Sequence, residues 1–357
     1  MLSEDSLRFY LDYRHRYART AGAASAAEAL VEEALKEGTF DIHAVTARAK
    51  EPLSLLKKLR QKAYDDPASQ VTDQVGVRVI TYYDDKVDAI VERLRQQLDV
   101  RDNEPEDKTG NLGLHEFGYR SVHLVVRAPI HDLAGSQAQG LKGLWFEIQV
   151  RSLLAHAWAE IEHEVVYKSG ISLPQDLERE FSTLAAQLES ADREFRRLRD
   201  ARQALLEGCK NALLEGRELG AELDSIRLAA ALEVFCPTGY SLREAFAAGS
   251  SLASNIGATC VEALAASAVR TVEDLRDRLE VETVERKLET YASLAGVPPG
   301  EVSHFAIAVI AAGSSDPAGF VKEFPDLLED DILQQTLLTD EGETEYEEEE
   351  EEEEEGV

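Results

Sequence analysis

The stretch "DQVGVRVITYYDDKVDAIVERLRQQL", residues 73–98, decides the fold that we expect for this chain. Its first half, residues 75–83, is rich in β-branched residues and predicts a strand. Its second half repeats apolar residues at helical spacing and predicts an amphipathic helix. The apolar stripe of that helix consists of Val87, Ile90, Val91, Leu94 and Leu98.

Two further strands and a helix are expected downstream. Residues 118–128 predict one strand, and "GLWFEIQVR" (143–151) predicts another, with apolar and polar residues on opposite faces. From residue 152 to 167 the spacing becomes helical. We expect the buried stripe of this helix to be Leu154, Trp158, Ile161 and Val165.

The whole chain therefore divides into a mixed region and a helical region. Residues 1–40 predict one or two helices, residues 41–50 an extended segment or loop, and Pro52 opens a helix running to about residue 64. Residues 41–175 then form an α+β domain with a mixed β-sheet flanked by helices. The remaining segments are a long helix or helical hairpin (176–223), an all-helical region without a recognisable motif (224–338) and an acidic tail (339–357).

The net charge of −31 is unevenly distributed. From Asp340 to Glu355 there are thirteen acids and no base, including nine consecutive glutamates. Such a run predicts a disordered, solvated tail, and the alternative is a docking or self-masking tail that competes with nucleotide for a basic site. The acidic balance argues against general DNA binding.

Compartment and membrane signals point to a cytoplasmic protein. No apolar stretch is long enough to cross a membrane, and the N-terminus has no apolar signal core. The three cysteines lie far apart, which is typical of a reducing compartment.

One basic cluster contrasts with the acidic average. Residues 48–62 ("RAKEPLSLLKKLRQK") hold six bases and one acid. Ser54 and Lys58 share a helix face, and Arg48 and Lys50 alternate in the segment before it. These side chains could form a triphosphate cradle or simply a solvated basic face.

Two carboxylates accompany two of the strands. Asp73 precedes one strand, and Glu147 lies on the polar face of another. Such a pair suits Mg²⁺, which takes one or two carboxylates and completes its shell with water and phosphate. Asp73 and Arg78 can face one site only if Asp73 lies in the turn before the strand. Alternatively, Glu147 is a cross-strand partner of Arg78 or Arg151.

The segment "EFGYRSVHLVV" (116–126) puts Tyr119, Ser121 and His123 in one row. The row could be an ordinary solvated sheet face or the floor for a flat polar ligand.

Taken in order, these motifs strongly resemble the synthetase domain of the RelA/SpoT alarmone synthetases, and most closely the small, synthetase-only members. The resemblance covers roughly residues 40–170. The motifs are Arg48-x-Lys50-x3-Ser54-x3-Lys58, Asp73-x2-Gly76-x-Arg78, "GYRSVH" (118–123), "EIQVR" (147–151) and "HAWAEIEHEVVYK" (156–168).

The resemblance implies a nucleotidyltransferase-like domain that moves the β,γ-diphosphate of ATP to the 3′-hydroxyl of GDP or GTP, giving ppGpp or pppGpp and AMP. It implies the following roles: Arg48 and Arg78 sandwich adenine; Lys50, Ser54 and Lys58 hold the ATP phosphates; Asp73 and Glu147 are catalytic and bind Mg²⁺; Tyr119 stacks on guanine; and His123, Gln149 and Lys108 bind the acceptor.

The segment "EDKTGNLGLHE" (106–116) departs from the family, which often has Y-I-x-x-P-K before its Gly-Tyr pair. Lys108 is the lysine of this segment. Because of this departure, the identity of the acceptor is left open between GDP, GTP, GMP and an adenine nucleotide. A toxin-type relative that makes adenosine alarmones or pyrophosphorylates tRNA, and an idle nucleotide sensor, are the alternatives. We expect no hydrolase domain, because about 45 residues precede Arg48. The C-terminal helices could mediate the formation of a homo-oligomer.

Overall fold

The structure is a computed structural model. It describes residues 2–38, 40–101, 121–129, 141–162, 164–165, 174–235, 251–298, 302, 304–328 and 331–339. The contacts divide the chain into two units, Met1–Arg199 and Asp200–Val357. Each unit is described by itself below.

The first unit is built on a five-stranded mixed sheet. The strands are β1 (Ile42–Ala49), β2 (Val75–Thr81), β3 (Asp99–Val100), β4 (Val122–Arg127) and β5 (Phe146–Ser152). Their order is β1-β2-β5-β4-β3, in which β2 and β5 are parallel and every other pair is antiparallel. The predicted mixed sheet flanked by helices is confirmed.

The sequence left residues 41–50 undecided between an extended segment and a loop. They form β1, which pairs with β2 from Ile42 to Ala49. Its polar and apolar residues alternate on either side of a break at Ala44 and Val45, near a shift in the register with β2. The pairing with β2 decides between strand and loop. The two-residue strand β3 was not predicted, since it is too short to show a period.

Helices surround the sheet. They are α1 (Glu4–His15), α2 (Tyr17–Leu35), α3 (Pro52–Gln61), α4 (Pro67–Gln70), α5 (Val87–Gln97) and α6 (Leu153–Glu162), with a 3-10 turn at Asp84–Lys86. Pro52 occupies the first turn of α3, as its missing N–H allows. Residues 1–40 thus contain two helices.

The main core lies between one sheet face and helices α2 and α5. Alternate residues of β2 and β5 point into it, and the α5 stripe is buried except for the half-exposed Val91. Because strand side chains alternate, the residues between them are displayed on the other face. A smaller core joins α1 to α3 through Phe9, Tyr13, Leu55, Leu59 and Val71.

The expected buried stripe of α6 is partly wrong. Trp158 is buried against Phe181, with ring centroids 4.5 Å apart, but Ile161 is 53% exposed and Val165 is 40% exposed. The described α-helix covers Leu153–Glu162, and residues 163, 166 and 167 of the predicted helix lie outside the described residues. The apolar spacing continues beyond the point where α6 packs on β2 and β5, and a periodic pattern cannot show where its partner surface stops.

The sequence predicts a long helix or a helical hairpin over residues 176–223. A single helix, α7 (Gln175–Leu214), occupies most of this range. The boundary between the two units falls within it, after Arg199.

The regular elements of the second unit are helices, and an isolated β-bridge joins Glu222 to Thr271. Its helices are α8 (Ser225–Phe235), α9 (Ser251–Ala266), α10 (Val272–Leu279), α11 (Glu282–Ala295), α12 (His304–Gly313), α13 (Pro317–Glu323) and α14 (Asp331–Leu338), with a 3-10 turn at Pro325–Leu327. They share one apolar core, in which burial raises the pKa of the Cys260 thiol to about 12. The acidic run from residue 340 onward lies outside the described residues.

In the parts of the chain that the structure describes, no helix is both long enough and apolar enough to span a bilayer.

Candidate active site

The polar face of the sheet carries two adjacent rows of side chains. Strand register places Arg48, Gly76 and Glu147 in one row. The next row holds Arg78, Gln149 and His123. Most of these residues line one cavity, whose described lining is Arg48, Lys50, Asp73, Gly76, Arg78, Glu147 and Gln149.

Asp73 reaches this cavity because it lies in the turn before β2, which begins at Val75. This is the condition under which it could face the same site as Arg78. Its Oδ2 accepts hydrogen bonds from Lys50 Nζ at 2.8 Å and from Lys58 Nζ at 2.7 Å. Burial raises the pKa of Asp73, but the two ammonium groups more than offset this, so the net shift is downward.

Helix α3 delivers Lys58 to the carboxylate. Burial lowers the pKa of Lys58, and the Asp73 charge reverses this, so the net shift is upward and the ammonium is retained. Ser54 lies one turn earlier on α3 but is exposed, and it is not part of the cavity lining. The structure thus gathers Lys50, Lys58 and Asp73 and leaves Ser54 at the surface.

The second carboxylate, Glu147, is the second residue of β5. Its Oε1 accepts a hydrogen bond from Gln149 Nε2 at 3.0 Å and lies 2.5 Å from His123 Nδ1. With Glu147 ionised, the histidine nitrogen is the donor. Both side chains are mostly buried, at 14% and 16% exposure.

The sequence offered Arg78 and Arg151 as partners for Glu147, and each of them contacts another residue, Arg151 through a hydrogen bond to Gln149 Oε1 at 2.7 Å. Arg78 Nη2 lies 2.9 Å from Glu160 Oε1 on α6. Arg48 is exposed on the edge strand β1, in the neighbouring row. Sequence reasoning missed Glu160 as part of this site, since nothing in a local pattern connects α6 to β2.

The N-terminal helices fix the segments that carry Lys50 and Asp73. Tyr13 donates its hydroxyl to the carbonyl of Lys50 at 2.5 Å, and its oxygen lies 3.4 Å from the carbonyl of Gln74. Arg16 donates to the Gln74 side chain at 2.7 Å. No local pattern predicts these contacts, which join residues more than thirty positions apart.

Tyr13→Phe should lower the free energy of unfolding by about 1–2 kcal/mol, because buried carbonyls lose their hydroxyl donor. Tyr17→Phe is the matched control: its hydroxyl bonds to the exposed Glu51 at 2.7 Å and should contribute less than about 0.5 kcal/mol. Urea denaturation of both variants measures the difference, and equal losses would contradict the anchoring role of Tyr13.

The site has features that fit a hard cation. Asp73 Oδ1 is buried and has no hydrogen-bond partner among the described residues. A second carboxylate, Glu147, lines the same cavity. Carboxylate oxygens are ligands that Mg²⁺ prefers, and one or two of them suffice when phosphates complete its shell.

Two predicted acceptor-binding residues, Tyr119 and Lys108, lie outside the described residues. Ser121 is described, and its hydroxyl is buried with no hydrogen-bond partner in the described part of the chain. The predicted row is therefore visible only at Ser121 and His123.

Comparison with known proteins identifies a family and several relatives. The family model described as "Region found in RelA / SpoT proteins" matches residues 47–172. GTP pyrophosphokinase YjbM of Bacillus subtilis (strain 168) is 30% identical over 164 residues, covering 44% of this chain and 72% of that protein. GTP pyrophosphokinase YwaC of the same organism is 27% identical over 155 residues, covering 42% and 70% respectively.

Among solved structures, the small alarmone synthetase 1 from Bacillus subtilis is 25% identical, with a TM-score of 0.43. The match covers 54% of this chain and 99% of that one. The sequence similarity to YjbM extends over most of that protein. Residues 47–172, which the family model matches, include the residues of the polar sheet face. The chain therefore belongs to the RelA/SpoT family.

Proposed function

We propose that this protein is a (p)ppGpp synthetase, a GTP diphosphokinase that transfers the β,γ-diphosphate of ATP to the 3′-hydroxyl of GDP or GTP. One observation carries the proposal: Lys50, Lys58, Asp73 and Glu147 converge beside the polar sheet face of a family member. Relatives named GTP pyrophosphokinase support it. We assign residues 41–175 as the synthetase domain, which includes the matched family region.

On the ATP side, the lysines exchange partners. Lys50 and Lys58 are paired with Asp73, and the phosphates of ATP present stronger and more numerous negative charges to the same ammonium groups. When the lysines turn to the phosphates, Asp73 is released. Arg48 and Arg78 project from adjacent strands, where planar guanidinium groups can stack on adenine. Ser54, one turn before Lys58 on α3, would also bind the ATP phosphates.

Asp73 and Glu147 would hold Mg²⁺, whose charge offsets that of the phosphates when it is bound. The fit of this ion rests on the unpartnered Asp73 Oδ1 and on the second carboxylate beside it.

On the acceptor side, Glu147 takes the proton of the 3′-hydroxyl as that oxygen attacks the β-phosphorus of ATP. The new bond joins the 3′-oxygen to the β-phosphorus, and the bond from this phosphorus to the oxygen bridging it to the α-phosphate breaks. That oxygen leaves as part of AMP. Tyr119, His123, Gln149 and Lys108 are the proposed contacts to the acceptor.

Separation of nucleotides after incubation with Mg²⁺ and labelled ATP tests the proposal. GDP, GTP, GMP, ADP and bulk tRNA are supplied separately as acceptors. We expect label in a guanine nucleotide with an equal amount of AMP, and loss of both products when the metal is chelated. Label in tRNA or an adenine nucleotide would instead indicate the toxin-type activity, and binding without transfer would indicate a sensor.

The proposed substrates are nucleotides of the cytoplasm, and we place the protein there. Homo-oligomer formation by the C-terminal helices stays a prediction, which size-exclusion chromatography with light scattering measures. Removal of residues 340–357 tests masking by the acidic tail, since an unchanged rate and acceptor affinity would exclude it.

A further inference from the structure

Arg151 is a buried charge next to the proposed active site. The residue is 4% exposed at the end of β5, and its Nε has no hydrogen-bond partner among the described residues. Burial, and then the like charge of Arg78, lower its pKa to about 10, so that it remains a cation at neutral pH. A buried guanidinium with an unfilled donor costs folding stability, which is characteristic of functional sites.

The guanidinium of Arg151 fixes the orientation of a neighbouring amide. Arg151 Nη2 donates to Gln149 Oε1 at 2.7 Å. An amide has one oxygen and one nitrogen end, so a cationic donor at the oxygen end directs the NH₂ group the other way. In that direction Gln149 Nε2 donates to Glu147 Oε1 at 3.0 Å.

The amide orientation matters because of what it contacts. If the Gln149 amide were reversed, its oxygen would face the Glu147 carboxylate and repel it. In the observed orientation, Gln149 and His123 both contact the same oxygen of Glu147. Two contacts to Oε1 from different strands define the position of the carboxylate.

We propose that Arg151 is a positioning residue: its guanidinium orients the Gln149 amide, which orients the Glu147 carboxylate. The inference rests on the proposed function of Glu147. Arg151 is buried, and its guanidinium reaches the Glu147 carboxylate through the Gln149 amide. Gln149, proposed above to contact the acceptor, then also supports the carboxylate.

A double-mutant cycle tests the connection through the rate of AMP formation. Arg151→Met and Gln149→Leu should each lower kcat by about 10–100-fold, with KM for ATP changed less than about threefold. In the Gln149→Leu background, Arg151→Met should lower kcat by less than about a further threefold, because Gln149 no longer links Arg151 to Glu147. Effects that multiply, or a loss confined to KM for ATP, would overturn the proposal.

Controls separate positioning from folding. Arg151→Lys keeps a cationic donor and should retain kcat within about tenfold of the wild type. Arg127→Met removes an exposed arginine of the same sheet, paired with Asp99 at 2.9 Å, and should be fully active. If Arg151→Met unfolds, Arg151→Lys and Gln149→Leu still test the proposal. A folded Arg151→Lys protein whose kcat falls by more than about 100-fold would refute the positioning role of Arg151, and so would a fully active Gln149→Leu protein.

A second readout does not require turnover. Mn²⁺ binding in the presence of ATP, followed by electron paramagnetic resonance, should weaken about 10–100-fold in Arg151→Met and remain unchanged in Arg127→Met. If the wild type makes no AMP with any acceptor, the proposed function fails, and this comparison still tests the positioning. Equal Mn²⁺ affinity in Arg151→Met and wild type would refute it.

Discussion

Asp73→Asn should abolish diphosphate transfer, with kcat reduced by at least about 10³-fold. The substitution keeps the shape of the side chain and removes the charge that would hold the metal, and a metal ion contributes several kcal/mol to such reactions. Initial rates of AMP formation at saturating ATP and acceptor measure the loss. Asp99→Asn, which alters an exposed carboxylate on the short strand β3, should leave the rate unchanged. A kcat of Asp73→Asn within tenfold of the wild-type value would contradict the assignment of Asp73 as a metal ligand.

Asp73→Asn should not weaken ATP binding when no metal is present, although it abolishes the reaction. Lys50 and Lys58 then have no carboxylate between them and are available to the phosphates. We expect binding of a non-hydrolysable ATP analogue in a chelating buffer to be at least as tight as in the wild type, as isothermal titration calorimetry would show. Weaker binding would mean that Asp73 does not compete with the phosphates.

The stability of Asp73→Asn should depend on pH in a defined way. The pKa of Asp73 is lower in the folded protein, so its ionised pairing stabilises the fold above the unfolded value of 3.8. This contribution is lost as pH falls through the folded pKa. The variant should therefore be about 1–2 kcal/mol less stable at pH 7, and the difference should shrink below about pH 4 in urea denaturation experiments.

Glu147→Gln should lower kcat by about 10²–10⁴-fold, the range typical of removing a positioned general base. An amide has nearly the same shape as the carboxylate but cannot accept the proton of the 3′-hydroxyl. The amide oxygen can still accept the hydrogen bonds from His123 and Gln149, with the NH₂ group in place of the other carboxylate oxygen. Single-turnover measurements with labelled ATP separate this loss of chemistry from effects on product release.

The control for this variant is Glu92→Gln, an exposed side chain on α5 whose contact is with Gln96. It should retain wild-type kcat. Binding of the ATP analogue should persist in Glu147→Gln, because the lysines and arginines of the ATP side are intact. A kcat within fivefold of wild type would remove Glu147 from the chemistry.

Local periodicity was enough to predict the strongly patterned elements. The first five residues of β2 and of β5 alternate between buried and less buried positions, and α5 repeats apolar residues at helical spacing. These patterns arise because each element meets a core on one side and not on the other. Where a pattern continued onto exposed positions, as at Ile161 and Val165, the same reasoning failed.

The sequence by itself determined which chemical groups are present and the faces of β2 and β5 on which Arg78, Glu147 and Gln149 lie, since residue spacing along a strand fixes its faces. Only the tertiary structure decided that β1 joins the sheet, that Lys50 and Lys58 share one oxygen of Asp73, and that Arg78 pairs with Glu160. The physical reason is distance along the chain. These partners come from segments whose meeting depends on strand order and helix packing, which no local pattern encodes.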